Sequence, residues 1–368
     1  MTQKPSFNVL IEPWIPVERL DGARETLGIR EALLRAHELR GVSADNPLDE
    51  FAIQRLLITL LTDAYRPLHW EDLENLIGVG RFDAERLNDY ATACGPCFDL
   101  FDEKRPFLQV PCEGSGVKEV VAAVLFPQWP TGNNHIFFNH ALEDAHAFSP
   151  AQCARALCGT PLYTTYYGNQ KGKGVTGVPP VFFLYAGTTL FETLAMSMTP
   201  KDAQPQLDFD DPPVLWRDKP VRADFRPCAK ASLLSGLLSR PLDIRLIPEA
   251  LEDGGMVVRR MRYGRGWDYD AVTNLRDPHI VLRKDGKPLM GRDGWAVWRD
   301  LGVILREEGR PVWTKNLDGR TELLKQTPPS LPVRAYVPVM RFKGTAFYLM
   351  GWFDEPISIN AFLFSQAE

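Results

Sequence analysis

Apolar residues recur at helical spacing in several separate stretches of the chain, and in others they alternate with polar ones. From Phe51 to Tyr65, Ile53, Leu56, Leu57, Leu60 and Leu61 fall on one face, the pattern of a buried helix. Asn46-Pro47-Leu48-Asp49-Glu50 supplies its opening, with proline near the start and acids in the first turn. Further helices are predicted over Ile29 to His37, Asp83 to Ala93, Thr188 to Met198 and Trp295 to Leu305, and from Ser149, as N-cap, through Leu157. Strands are predicted over Phe7 to Val17 (closed by two prolines), Val181 to Tyr185, Leu242 to Leu246, Met256 to Met261, and His279 to Arg283 before a Lys284–Lys287 turn. Arg334 to Arg341 and Ala346 to Phe353 read as a closing pair of strands around a Phe342-Lys343-Gly344 turn. The acidic stretch Thr199 to Pro213 reads as a loop or linker. Helices and strands are mixed without the strand–helix alternation of a doubly wound sheet, so the expected class is α+β.

Composition narrows the picture only modestly. With 368 residues, 45% of them hydrophobic, the chain can fill a substantial core. Its 30 prolines and 28 glycines predict many turns. The net charge of −5 excludes a uniformly basic coat but not a local basic patch. The N-terminus carries no secretory pattern and no apolar run reaches membrane-spanning length, so a cytoplasmic protein is expected. Six cysteines are then expected to be reduced. Cys94-Gly95-Pro96-Cys97 has the spacing of half a zinc site or of a redox motif. No second pair of ligands accompanies it, and the strand-like Phe98-Asp99-Leu100-Phe101 follows where a thioredoxin-type motif has a helix.

Three segments carry candidate chemistry. Gly168-Asn169-Gln170-Lys171-Gly172-Lys173-Gly174-Val175-Thr176-Gly177 packs four glycines and two lysines into ten residues. Glycine permits close backbone approach, and lysine supplies donors and charge for phosphate, so this loop suits a polyanion. It departs from a P-loop: Gly172 arrives one place early after Gly168, and Gly174 stands where a Ser or Thr hydroxyl is needed. The second segment is Arg259-Arg260-Met261-Arg262-Tyr263-Gly264-Arg265-Gly266-Trp267, four arginines interleaved with aromatics. It suits phosphate contacts with stacking, and equally a solvated edge strand on which Arg260 and Arg262 share a face. The third is the tip Arg341-Phe342-Lys343-Gly344-Thr345, either a wedge for base pairs or an ordinary turn. Hydrolytic chemistry has little support: the six histidines are scattered and no nucleophile has a base. Asp208, Asp210 and Asp211 are the one carboxylate group that could hold a metal, and a solvated loop is the competing reading.

Taken in order, Phe7-Asn8-Val9-Leu10-Ile11-Glu12-Pro13-Trp14-Ile15-Pro16-Val17, Phe98-Asp99-Leu100-Phe101-Asp102-Glu103-Lys104-Arg105-Pro106-Phe107-Leu108-Gln109, Pro130-Thr131-Gly132-Asn133-Asn134, the glycine loop and Trp295 to Leu301 resemble the CasA family. These are the large subunits of type I-E CRISPR surveillance complexes (Cascade). The resemblance is collinear from about residue 7 to residue 353. It implies a large irregular mixed domain like the family's N-terminal domain, filling 1–368. It also implies a binding role with no catalysis and no cofactor or metal: contact with the crRNA 5′ end, recognition of the PAM in target double-stranded DNA from the minor groove, and initiation of the R-loop. By resemblance, Gly168, Asn169, Gln170, Lys171, Gly172, Lys173 and Gly174 form the PAM loop. Arg262 or Arg265 stands for the family's lysine finger, and Phe342 or Lys343, beside Gly344 and Thr345, for its glutamine wedge. Asn133, Asn134, Phe137, Asn139 and His140 fall where the family touches the crRNA handle and a backbone subunit. Implied partners are the Cascade backbone and 5′-handle-capping subunits, the small subunits, and a nuclease acting in trans or fused to another subunit. The family's C-terminal four-helix bundle would follow residue 368, so the expectation is a compact variant without it. The classes to set against this reading are a metal-dependent nuclease, a nucleotide-binding enzyme, and a scaffold that caps a ribonucleoprotein.

Overall fold

The longest helix among the described residues is buried on nearly every side, and much of the core is arranged around it. A computed structural model describes residues 4–110, 112, 116–126, 146–163, 174–217, 226–283, 286–300, 311–315, 321–325, 333–343 and 346–357. The elements in chain order are β1 (Ile15–Arg19), β2 (Arg24–Leu27), α1 (Ile29–Leu34), β3 (Leu39–Val42), α2 (Pro47–Tyr65), α3 (Trp70–Val79), α4 (Ala84–Cys94), β4 (Lys118–Val121), α5 (Pro150–Tyr163), β5 (Phe182–Tyr185), α6 (Leu190–Ser197), β6 (Arg226–Pro227), α7 (Leu233–Leu237), β7 (Leu242–Ala250), β8 (Met256–Arg265), β9 (Trp267–Asp268), β10 (Pro311–Lys315), β11 (Thr321–Lys325), β12 (Val333–Lys343) and β13 (Ala346–Ile357). The class is α+β. Three small sheets dominate, with strand orders β2-β1-β3, β4-β8-β7 and β13-β12-β5. Two-stranded pairs β10-β11 and β6-β9 complete the set among the described residues. Among those residues no helix is long and apolar enough to cross a membrane.

Helix α2 starts where its sequence directs. The Asn46 side chain accepts from the Asp49 N–H at 2.8 Å, Pro47 follows, and Asp49 and Glu50 occupy the first turn. It ends at Arg66, whose φ of 46° lies in the left-handed region and whose N–H reaches the Thr62 carbonyl. Fourteen of its 19 residues are buried, and five of these are polar or charged: Gln54, Arg55, Thr59, Thr62 and Asp63. The two threonines satisfy themselves on carbonyls one turn back, Thr59 on Arg55 and Thr62 on Ile58, both at 2.7 Å. The other three bind outside the helix.

Arg55 makes the central connection. Its guanidinium is 2% exposed and forks onto Asp277, Nη1 to Oδ1 at 2.8 Å and Nη2 to Oδ2 at 2.6 Å. Its Nε donates to the Leu237 carbonyl at the end of α7. Phe51 and Phe182, stacked at 4.5 Å, lie within about 6 Å of the same cation. His279 stands beside the pair. Its Nε2 lies 3.0 Å from the Ser197 carbonyl, so it carries the proton, and its Nδ1 accepts from Arg55 Nη1 at 3.1 Å. Burial and the adjacent guanidinium push the His279 pKa down to about 4. Burial alone would raise the Asp277 carboxyl; Arg55 outweighs it and holds the group below the usual range. Helices α2, α6 and α7 and the strap at 277–279 are thereby tied at one point.

Several expectations need correction. Phe7 to Val17 is not one strand: the Asn8 side chain accepts from the Leu10 N–H, closing a turn at 8–12, and β1 begins only at Ile15. Gly28 packs so tightly under this turn that a Cβ there would lie 2.7 Å from the Leu10 carbonyl oxygen. Asp99 makes a lone bridge to Asn8 instead of a strand over Phe98–Phe101, and His279 to Arg283 contributes isolated bridges only. Trp295 to Leu305 shows one 3-10 turn, Val297–Asp300, and residues 301–305 lie outside the described set. The turn expected at Phe342-Lys343-Gly344 starts later, because Phe342 and Lys343 are the last two residues of β12.

The acidic stretch 199–213 is no linker. Leu207 is buried, backbone N–H groups of Lys201 and Asp202 reach the Pro67 and Leu68 carbonyls, and those of Leu233 and Leu234 reach the Asp208 and Phe209 carbonyls. Each of its four carboxylates faces its own basic group: Asp202 meets the His69 ring at 2.6 Å, Asp210 meets Arg66 at 2.7 Å, Asp211 meets Lys230 at 2.6 Å, and Asp208 lies 3.9 Å from Lys201. No His, Cys, Asp and Glu group able to hold a metal occurs among the described residues.

Two outcomes follow from the buried ion pair. Arg55→Met leaves a bare carboxylate in the core and is expected to cost about 3–5 kcal/mol in chemical denaturation. Adding Asp277→Leu should return much of that loss; additive losses would show that the two residues act independently. His279 titrates near 6.5 in the unfolded chain and at about 4 in the fold, so only the unfolded state takes up a proton in between. Stability should therefore fall as pH drops from 6.5 to 4, by up to about 3 kcal/mol at about 1.4 kcal/mol per pH unit. His279→Gln should flatten that interval, and an unchanged slope in the variant would rule out His279 as its source.

Candidate nucleic-acid interface

The arginine-rich segment forms β8, the middle strand of a three-stranded antiparallel sheet, and not an edge as its sequence allowed. β7 covers its whole length and β4 covers Arg260–Tyr263. Met261 and Tyr263 point to the core, and Arg260 and Arg262 project to solvent, each about half exposed. The register shifts at Ile247/Pro248, so that Arg260 pairs with Ile247 and Val258 with Pro248. Arg259 is the extra residue of this bulge, and its guanidinium meets Glu249 at 3.2 Å.

On the solvent face, one cross-sheet row reads Glu119 (β4), Arg262 (β8), Arg245 (β7), the two outer residues each directly opposite the middle one. Arg245 is half-buried, donates to the Asp102 carbonyl at 2.7 Å, and has its pKa lowered by burial. Glu119 is the counter-charge. Its two oxygens take Arg260 Nε at 2.8 Å and Arg262 Nε at 3.5 Å. The hydrogen bond from Arg260, reinforced by Arg262, holds its carboxyl below the usual range. Arg260, Arg262 and Arg245 thus share a face with Glu119, and the Asp102 and Glu103 charges act on Arg245, so the cations are gathered locally on a chain of negative total charge.

The structure separates the two finger candidates. Arg262 lies within this face, whereas Arg265, three residues on, ends the strand with the opposite parity and has Asp268 at 3.6 Å. Of the glycine loop, Gly174 is described: it is half-buried and its carbonyl accepts from the Gly177 N–H, with Gly177 at φ 68° closing the turn before β5. Gly168, Asn169, Gln170, Lys171, Gly172 and Lys173 lie outside the described residues, as do Asn133, Asn134, Phe137, Asn139 and His140.

The β12–β13 pairing closes at Lys343 opposite Ala346. Phe342 and Lys343 therefore sit at the tip, and Gly344 and Thr345 fall between the strands, outside the described residues. The root of this hairpin is anchored on α2. Arg334 donates to Glu50 at 2.8 Å, the Tyr336 hydroxyl donates to the same oxygen at 2.9 Å, and Gln54 donates to Tyr336.

Sequence reasoning passed over Glu119 and Arg245. The strand containing Arg245 was legible, but which residue stands opposite which is a property of the sheet register, and no local pattern encodes it. The Cys94-Gly95-Pro96-Cys97 motif closes α4: both thiols are buried, and burial raises their pKa, the opposite of what a reactive or metal-binding thiolate requires.

The model of the family CRISPR-associated protein Cse1 matches residues 8–360. The CRISPR-associated protein CasA/Cse1 of Thermus thermophilus is 33% identical over 316 residues, which are 81% of this chain and 60% of that protein. The chain thus spans well under two thirds of that relative's length. In fold it is similar to Cse1 from Acidimicrobium ferrooxidans, with a TM-score of 0.73 at 23% identity over 96% of this chain and 71% of the other. It is equally similar to a chain of a structure described as a CRISPR RNA-guided surveillance complex, TM-score 0.73 at 22% identity over 96% and 76%. The collinear motifs, the mixed fold and the matched span converge: this chain belongs to the Cse1 (CasA) family of CRISPR-associated proteins.

Proposed function

We propose that this protein is a large subunit of an RNA-guided DNA surveillance complex. In this reading it reads the PAM of double-stranded DNA and starts strand opening, and contributes binding without chemistry of its own. The family match over residues 8–360 carries this reading, and the structure of a relative described as part of a CRISPR RNA-guided surveillance complex supports it. The solvent face of Arg262, Arg260 and Arg245 supplies phosphate contacts of the kind duplex binding requires.

In this reading the loop at Gly168 to Gly174 approaches the minor groove, where a Cβ would crowd the walls. Lys171 and Lys173 reach the flanking phosphates, and Arg262 acts as the finger. The minor groove shows a degenerate edge pattern, which fits a tolerant PAM preference. The hairpin tip, with Phe342 and Lys343 beside Gly344 and Thr345, enters the first base step, at a cost on the order of 1–2 kcal/mol of stacking. Asn133, Asn134, Phe137, Asn139 and His140 face the crRNA handle and a backbone subunit.

The test is duplex binding by the crRNA-loaded complex, with and without this subunit, on targets differing only at the PAM. PAM-dependent binding should require the subunit. The double variant Lys171→Ala/Lys173→Ala should weaken it and flatten the slope of log affinity against log salt by up to about 1.8, at about 0.9 for each phosphate no longer neutralised. Normal binding without the subunit would leave a scaffolding cap as the better description.

A further inference from the structure

We infer that Glu119 is a built-in competitor for the DNA backbone, occupying the Arg260 and Arg262 guanidinium groups so that a correctly seated duplex displaces it more readily than a misplaced one. The inference rests on the reading of this sheet face as DNA-facing. A carboxylate on a phosphate-binding face opposes binding twice: it repels the polyanion and it holds donors the phosphates need.

Its placement is specific. Register sets Glu119 directly opposite Arg262, and its second oxygen reaches diagonally to Arg260, so one side chain spans both outward arginines of β8. All three side chains are 41–51% exposed. At such exposure an ion pair is weakened by solvent screening and is easily exchanged. The stronger geometry at Arg260 (2.8 Å) than at Arg262 (3.5 Å) makes Arg262 the first to be released.

Arg245 gives the exchange its direction. It sits on the other side of Arg262, and like charges directly opposite one another in a sheet repel. Asp102 and Glu103 temper that repulsion at Arg245; at Arg262, Glu119 offsets it while the face is free, and a phosphate offsets it in the complex. Part of the energy released on docking therefore goes into displacing Glu119. A loosely or wrongly placed duplex, which cannot set a phosphate between Arg262 and Arg245, does not recover it. Glu119 is accordingly a specificity-determining residue that weakens non-specific binding more than specific binding.

The measurement is affinity of the reconstituted crRNA-loaded complex for a PAM-containing duplex and for a PAM-less duplex, between about 50 and 200 mM salt. Glu119→Gln keeps the shape and removes the charge. It should tighten PAM-less binding by roughly threefold at the upper salt and tenfold at the lower, and steepen the salt slope by about 1. PAM binding should gain less, so discrimination falls. Glu119→Asp, which keeps the charge but is too short to span both arginines, should give an intermediate slope; it serves as the second variant should Glu119→Gln destabilise the sheet. A role confined to holding the sheet would lower the melting temperature of either variant and leave the salt slope alone. Arg262→Ala separates the two levels of the argument. If it weakens DNA binding while both Glu119 variants leave slope and discrimination unchanged, the competitor inference fails and the DNA-facing reading stands. If Arg260→Ala and Arg262→Ala leave binding unchanged, the face does not meet DNA and both fall.

Discussion

The fold depends on a charge placed where charge is costly. Helix α2 is buried around most of its circumference, so apolar contact holds it in the core but says little about its rotation or axial position. Arg55 supplies what the leucines do not. A guanidinium 2% exposed must satisfy its donors in fixed directions, and it does so on Asp277, His279 and the Leu237 carbonyl. Shifting α2 by one residue would turn that cation about 100° away from all three partners and leave Asp277 bare. Burying two charges gains little net stability over an apolar pair of the same volume, but it makes alternative packings expensive. The neutral His279, with its proton on Nε2, extends this selection to α6 through the Ser197 carbonyl.

The two ends of α2 hold different things. At the N-terminal end, Glu50 and Gln54 anchor Arg334 and Tyr336 at the root of the β12–β13 hairpin. Near the C-terminal end, the fully buried Asp63 collects Arg66, Arg217 and the Tyr90 hydroxyl at 3.0, 2.7 and 2.6 Å, closing one wall of a cleft of about 580 Å³. Only Val333–Tyr336 of β12 pair with β5, so the seven residues from Val337 to Lys343 continue as a two-stranded ribbon for about 23 Å. A bulge at Val339/Met340 breaks the register partway along. Helix α2 thus fixes the root of this hairpin.

Much of this was legible in the sequence, for identifiable reasons. Helix α2 announces itself through Asn46, Pro47 and its leucines because capping and burial act locally. The closing hairpin is legible because alternation over two long strands outweighs its bulge. The turn at Asn8 was hidden because an Asx turn needs one side chain and leaves no periodic trace. The segment 199–213 resembled a linker because its acids are numerous, whereas the structure pairs them one by one with His69, Arg66, Lys230 and Lys201, which are distant or unremarkable in sequence. Helix α3 escaped because its apolar face is thin: only Leu73 and Leu76 are buried. At the interface, the arginines were legible and their management was not. That Glu119 would stand opposite Arg262 follows from pairing β4 with β8, some 140 residues apart, a relation that only the assembled sheet contains.

That management also resolves a tension in the composition. A chain of net charge −5 can present a surface to a polyanion only if its cations are concentrated and its anions are sequestered. Both devices are visible. Asp63 and Asp277 are buried, and Glu50 partly buried, against arginines of the scaffold, where their fields are largely cancelled before they reach solvent. Arg262 and Arg245 instead share one row and Arg260 stands in the next, on the same face of the sheet. A sheet achieves this more directly than a loop, because alternation sends every second residue to the same side and pairing stacks those residues across strands. The consequence is repulsion between Arg262 and Arg245; Asp102 and Glu103 temper it at Arg245, and Arg262 still needs a counter-charge. Glu119, on the neighbouring strand and at the same level, fills that need from within the protein.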